Sequence, residues 1–217
     1  MPLSDDPWIA EHSIIDPERL HALGMITLFW NHCERMLFFI FCFVFKFGPR
    51  LGWIIAHDLG DISISERIKE LLKARPIDPD EQALILNALD VYDICRQNRN
   101  LLTHFTVNKG PKGEADSDFV FVRTKGPSPI SKAFPSTLED VRAVAVNTKT
   151  LSIYLHKIQK ALHEREMGED VPLPPIVAAP GLLWKPPSPT DTKPPRQPKS
   201  SRASRRNAAM KRAAKFR

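Results

Sequence analysis

Glycine is scarce in this chain, at nine of 217 residues. No Gly-rich phosphate loop and no G-x-S-x-G turn for a nucleophilic serine is present, which sets aside the P-loop NTPases and the α/β-hydrolases. Cysteine is scarcer. Cys33, Cys42 and Cys95 are an odd number, none forms a CxxC pair, and none has histidines at zinc-finger spacing, so they read as reduced core thiols of a cytosolic protein. His12, His21, His32, His57, His156 and His163 show no metal-ligand spacing either. His156 and His163 share a helix face seven residues apart, but two ligands alone do not make a zinc site. No metal and no cofactor is therefore expected.

Long apolar runs are also missing. The longest, Met36 to Phe45, is ten residues against the ~20 that a spanning helix needs. A helix apolar on every side is buried by several neighbours or by a partner chain. The beginning, Met1-Pro2-Leu3-Ser4-Asp5-Asp6, is acidic and without an apolar h-region, so no secretory signal is visible. A cytoplasmic protein with no membrane partner is expected; attachment through residues 36–56, with a basic tail on anionic lipid, is the competing reading.

Proline and positive charge are abundant, and both are concentrated late. Ten of the 20 prolines follow residue 167. Eleven of the 31 Lys/Arg but only one of the 25 acids lie from Lys185 onward, so that stretch carries +10 and the preceding 184 residues −4. Such composition argues against a packed core. The sequence predicts a polar leader over 1–15, a helical domain over 16–166 and a Pro-rich, basic, disordered tail over 167–217. The tail reads equally as a nucleic-acid-binding arm and as a solvated extension. Leu182-Leu183-Trp184 reads as a short docking segment within it.

Helix signals organise the middle. Asp16-Pro17-Glu18 places a cap, a proline and an acid at the start of a helix running to about Phe47. Gly48-Pro49 ends it, and residues 50–60 read as a loop carrying Trp53, Ile54 and Ile55. Ser65 to Ala74 is amphipathic. Asp78-Pro79-Asp80-Glu81 opens the next helix, on which Leu84, Ala88, Val91, Cys95 and Leu102 form one stripe. Phe105-Thr106-Val107 and Phe119 to Arg123 are β-prone and predict a small hairpin. A capping box at Ser136-Thr137-Leu138-Glu139 opens a last helix to about Glu166.

Near the end of the striped helix lies Arg99-Asn100-Leu101-Leu102-Thr103-His104. A histidine titrates near neutral pH and can take or give a proton. An arginine stays charged and presents a planar fork to phosphate oxygens. In a straight helix, however, five residues separate the two by about 140° and ~7.5 Å. They share one spot only if the helix unwinds near Thr103 or a second chain completes the site. Arg96, Asn100 and His104 do share a face, which makes Arg96 a candidate participant; Glu34 is a further candidate as an orienting acid.

Arg99-Asn100-x-x-x-His104 near a helix end, Trp30-Asn31-x-x-Glu34 on a long early helix, and the order of elements over residues 16–166 together resemble the HEPN superfamily of small α-helical proteins. The resemblance implies an all-α fold: an antiparallel bundle of four to five helices, with a small β-hairpin after the motif helix. It also implies a homodimer in which two motifs meet in one cleft. Many such proteins are metal-independent endoribonucleases of toxin–antitoxin, phage-defence or RNA-processing systems, some with a cognate antitoxin protein; others keep the fold and only bind. The expected activity is RNA cleavage by 2′-OH attack, with Arg99, Asn100 and His104 as the catalytic set. The alternative is a non-catalytic dimeric module that binds RNA or protein. A third reading is bland: Arg99 and His104 only decorate a helix C-terminus, where cations interact favourably with the dipole.

Overall fold

The computed structural model describes residues 6–12, 15–75, 77–103, 106–108, 120–122 and 137–183. Its helices are α1 (Pro7–His12), α2 (Pro17–Phe45), α3 (Pro49–Ala56), α4 (Asp61–Ala74), α5 (Pro79–Thr103) and α6 (Leu138–Glu166). The fold is an all-α bundle. Two three-residue strands, β1 (Thr106–Asn108) and β2 (Val120–Val122), pair antiparallel with Val107 opposite Phe121.

Local chemistry sets the helix ends. The Asp16 carboxylate accepts a hydrogen bond from the Arg19 backbone N–H at 2.8 Å, with Pro17 in the first turn of α2. Asp78 does the same for α5 through the N–H groups of Asp80 and Glu81. The capping box of α6 sits one residue later than the sequence suggests. Thr137 is the cap and Asp140 its reciprocal partner, because an aspartate three residues after Thr137 reaches back as a glutamate would. Helix α2 stops where Lys46 turns left-handed (φ 56°), and the N–H groups of Lys46 and Phe47 bond back to Phe43 and Cys42.

Residues 49–56 form α3, not the predicted loop. Gly48 is extended, Pro49 occupies the first turn, and proline there is preset for helix. Its Gly52 is buried, and a Cβ at that position would lie 2.3 Å from Cys42 Sγ. Gly52→Ala is expected to destabilise the fold by about 1–3 kcal/mol through overpacking, measured as a lowered denaturation midpoint; an unchanged midpoint would show that Cys42 simply swings aside.

The three long helices run up, down, up. α5 opposes α6, as Glu81 meets Arg165 at 3.2 Å and Asn87 meets Tyr154 at 2.9 Å. α2 and α6, the most extensively packed pair, are parallel. Glu18 bonds Arg142, His32 bonds Ser152, and Lys46 bonds Glu166, in ascending register along both helices. The expected antiparallel bundle is thus corrected for this pair, since the first and third passes of an up-down-up chain share a direction.

The core sits among these three helices and α4. Trp30, Leu37, Ile40 and Phe41 of α2 cluster with Ile68, Leu84, Ile85, Leu89, Tyr92, Leu151 and Leu155. The predicted α5 stripe of Leu84, Ala88, Val91, Cys95 and Leu102 is buried throughout. Helix α2 has the length and composition to cross a membrane, yet Met36, Leu37, Ile40, Phe41, Cys42 and Val44 are buried within this one chain. Phe38, Phe39, Phe43 and Phe45 are left partly exposed at its edges. The three cysteines are buried and unpaired with one another, and burial pushes the Cys95 thiol up to about 12.

The chain does not leave the folded body at residue 167. One unit runs to Leu183 and a second comprises Trp184–Arg217, whose residues lie outside the described ones. After a turn at Gly168 (φ 90°), Leu173 and Val177 pack against the core. The expectation of disorder is corrected for residues 169–183, where the prolines alternate with apolar residues that find a groove.

Candidate functional site

The motif arginine is organised by an aromatic residue from another helix. Trp30 of α2 is fully buried, and the Arg99 guanidinium carbon lies 5.5 Å from its ring centroid. A cation over an indole face is attracted by the ring quadrupole. Trp30 is itself fixed on two sides. Its Nε1–H donates to Glu34 Oε1 at 2.7 Å, one turn along α2, and its ring lies 4.7 Å from that of Tyr92. The Tyr92 hydroxyl donates to Asp61 of α4 at 3.4 Å. Burial, then the Asp61 and Glu34 charges, push the Tyr92 hydroxyl well above its ordinary range.

On α5, Arg99 Nη1 donates to Asn100 Oδ1 at 2.9 Å, and Thr103 Oγ1 donates to the Arg99 carbonyl at 3.0 Å. Asn100 therefore orients the arginine directly. Arg96 is held differently. Its guanidinium pairs with Asp93, whose second oxygen accepts from Gln97 Nε2 at 2.8 Å. Of the expected residues, Arg99, Asn100 and Glu34 belong to one chain of contacts through Trp30, whereas Arg96 is tied to Asp93. His104 lies outside the described residues.

Sequence reasoning singled out Trp30 and Glu34 as a likeness but gave Trp30 no role. The i, i+4 spacing that lets its indole reach Glu34 is visible in the sequence, whereas its meeting with Arg99 depends on how α2 packs on α5. Asp93 was missed too, although it stands three residues before Arg96.

A second polar cluster lies between α2 and α6. His32 Nδ1 is 2.8 Å from Ser152 Oγ, and its ring is 6.0 Å from that of His156. Burial, then the charges of His156 and Arg35, lower the His32 pKa below 6.5. A group depressed in the folded state binds its proton better when unfolded, so its stabilising contribution is complete above pH 6.5 and shrinks as pH falls through the folded value. His32→Asn is expected to flatten the loss of stability below pH 6.5, read from denaturation midpoints at pH 5 and 7.5; parallel losses in both proteins would remove His32 from the account. Among the described residues, no group of three or more His, Cys, Asp or Glu side chains is placed to hold a metal ion.

A cavity of about 490 Å³ lies elsewhere, between the C-terminal ends of α2 and α6, with Phe39, Phe43, Lys46, Phe47, His163 and Glu166 among its walls. It shares no residue with the Arg99 cluster.

Compared with protein-family models, curated proteins and solved structures, the chain finds no match.

Proposed function

We propose that this chain is a metal-independent endoribonuclease of the HEPN type, working in the cytoplasm as a homodimer in toxin–antitoxin or phage defence, with an antitoxin protein as a partner. The observation that carries the reading is the Arg99 guanidinium held over the Trp30 ring and bonded to Asn100. Such a fork is fixed before any substrate arrives, and preorganised donors are most effective where charge develops. In the HEPN-type reading a hairpin follows the motif helix and the motifs of two copies share one cleft.

The reaction is an internal displacement. His104 takes the proton of the ribose 2′-OH, the 2′-oxygen bonds to phosphorus, and the bond to the 5′-oxygen breaks, that oxygen receiving a proton. Arg99 stabilises the dianionic phosphorane. Asn100 positions the arginine, and Glu34 acts at one remove by orienting Trp30. The products carry a 2′,3′-cyclic phosphate and a 5′-OH, and no step calls on a divalent ion.

The test is cleavage of mixed RNA in EDTA by wild type and by His104→Ala. Wild type is expected to cleave and the variant to leave the RNA intact. A second reading, a non-catalytic dimeric module that binds RNA or protein, is favoured by one observation: Arg96 and Arg99 are both engaged by side chains of their own fold. Wild-type protein that binds RNA and leaves it whole would select that reading.

A further inference from the structure

The segment after α6 is bound to the bundle as a peptide ligand is bound, through its main chain. Asn98 of α5, only 2 % exposed, donates from Nδ2 to the Gly181 carbonyl at 2.9 Å and accepts from the Leu183 N–H at 2.7 Å. Asn87 donates from Nδ2 to the Val177 carbonyl at 3.0 Å, and its Oδ1 accepts from the Val177 N–H at 3.4 Å. The Tyr154 hydroxyl of α6 donates to the same Asn87 oxygen at 2.9 Å, which fixes the orientation of the amide. One helix supplies the reading amides and its neighbour locks one of them.

The spacing is matched. Asn87 and Asn98 are eleven residues apart on α5, about 16.5 Å along the axis. Val177 and the Gly181–Leu183 pair are about five residues apart on average, which matches that distance at about 3.3 Å per residue, an extended or polyproline chain. The donors the groove uses belong to Val177 and Leu183, and the carbonyls to Val177 and Gly181. None of these is proline, while Pro172, Pro174, Pro175 and Pro180 fall where no N–H is required. Leu173 and Val177 add the apolar contact, and a space of about 360 Å³ at the upstream end is lined by Leu84, Arg165, Val171, Leu173 and Ile176.

We propose that the α5–α6 groove is a recognition site for an extended, proline-rich apolar segment, and that it accepts residues 171–183 of a second copy in place of the chain's own. The second copy is the indicated occupant because it carries the same donor, acceptor and proline pattern. The connection between helix and segment is also a short, exposed turn, Met167–Gly168, of the kind through which copies exchange elements. The proposal stands apart from whatever chemistry Arg99 performs.

The experiment places a protease recognition sequence at Met167–Gly168 in the full chain, cleaves it, and adds a fluorescent peptide with the sequence of residues 169–184. Saturable binding is expected, weakened at least tenfold in the peptide with Leu183→Pro, which lacks the N–H that Asn98 accepts. No binding, or equal binding of the two peptides, by cleaved protein that keeps its helical circular dichroism would overturn the groove as a recognition site. For the second copy, light scattering of the intact chain across concentration is expected to show a dimer that cleavage at Met167–Gly168 converts to monomer, because in an exchanged pair that connection is what links the copies. A chain that stays monomeric, or a dimer that cleavage leaves intact, would overturn the exchange; the second result would leave the nuclease dimer standing.

Discussion

Arg99→Ala is expected to lower RNA cleavage by about 10²–10³-fold, the usual loss when one preorganised donor to a developing anion is removed. The fold should survive, because the change forfeits a cation–π contact of about 0.5–2 kcal/mol and one hydrogen bond to Asn100. Arg99→Lys should not restore the rate: an ammonium lacks the planar fork that spans two phosphate oxygens. Single-turnover cleavage with circular dichroism as control separates the outcomes, and a folded Arg99→Ala protein cleaving at the wild-type rate would remove the arginine from the chemistry. Mixing Arg99→Ala with His104→Ala adds a second reading. If one copy supplies the guanidinium and the other the imidazole, mixed dimers contain one intact site, and activity should return to about a quarter of wild type. A mixture as inactive as either variant would confine both groups to one copy.

Trp30→Ala is expected to cost about 3–5 kcal/mol of stability, the range for truncating a fully buried aromatic. In a chain of this size that lowers the melting temperature by roughly 10 °C or more. The loss is large because Trp30 contacts Tyr92, Glu34 and Arg99 at once. Trp30→Phe keeps most of the apolar volume and should lose only about 1 kcal/mol for the Nε1–Glu34 hydrogen bond, while loosening the platform beneath Arg99. Cleavage should therefore fall further in Trp30→Phe than its stability does. A Trp30→Ala protein melting within about 2 °C of wild type would mean that α2 and α5 pack without the indole.

The contrast between these residues shows what could be read in advance. The α5 stripe was legible because its burial repeats with the helix period, and the starts of α2 and α5 because a cap and a proline are local signals. Arg99 and Asn100 were legible as residue types whose bonding lies within one turn. The Trp30 platform was not, since no local rule places an indole of α2 against an arginine sixty-nine positions later. The parallel pairing of α2 with α6 depends on counting passes through the bundle, and the sequence marks α3 poorly: Gly48-Pro49 reads as a stop although it also begins a helix. Residues 169–183 failed for a different reason. Proline-rich composition predicts disorder when a segment must bury itself, but here the bundle supplies the amides of Asn87 and Asn98, and the segment answers with its backbone and the side chains of Leu173 and Val177.

The most direct measurement is the chemistry of the RNA ends. A defined RNA incubated with the full chain in EDTA, its fragments weighed by mass spectrometry, is expected to yield 2′,3′-cyclic phosphate and 5′-OH termini with wild type and none with His104→Ala. RNA recovered whole, or fragments ending in 3′-OH, would contradict the account.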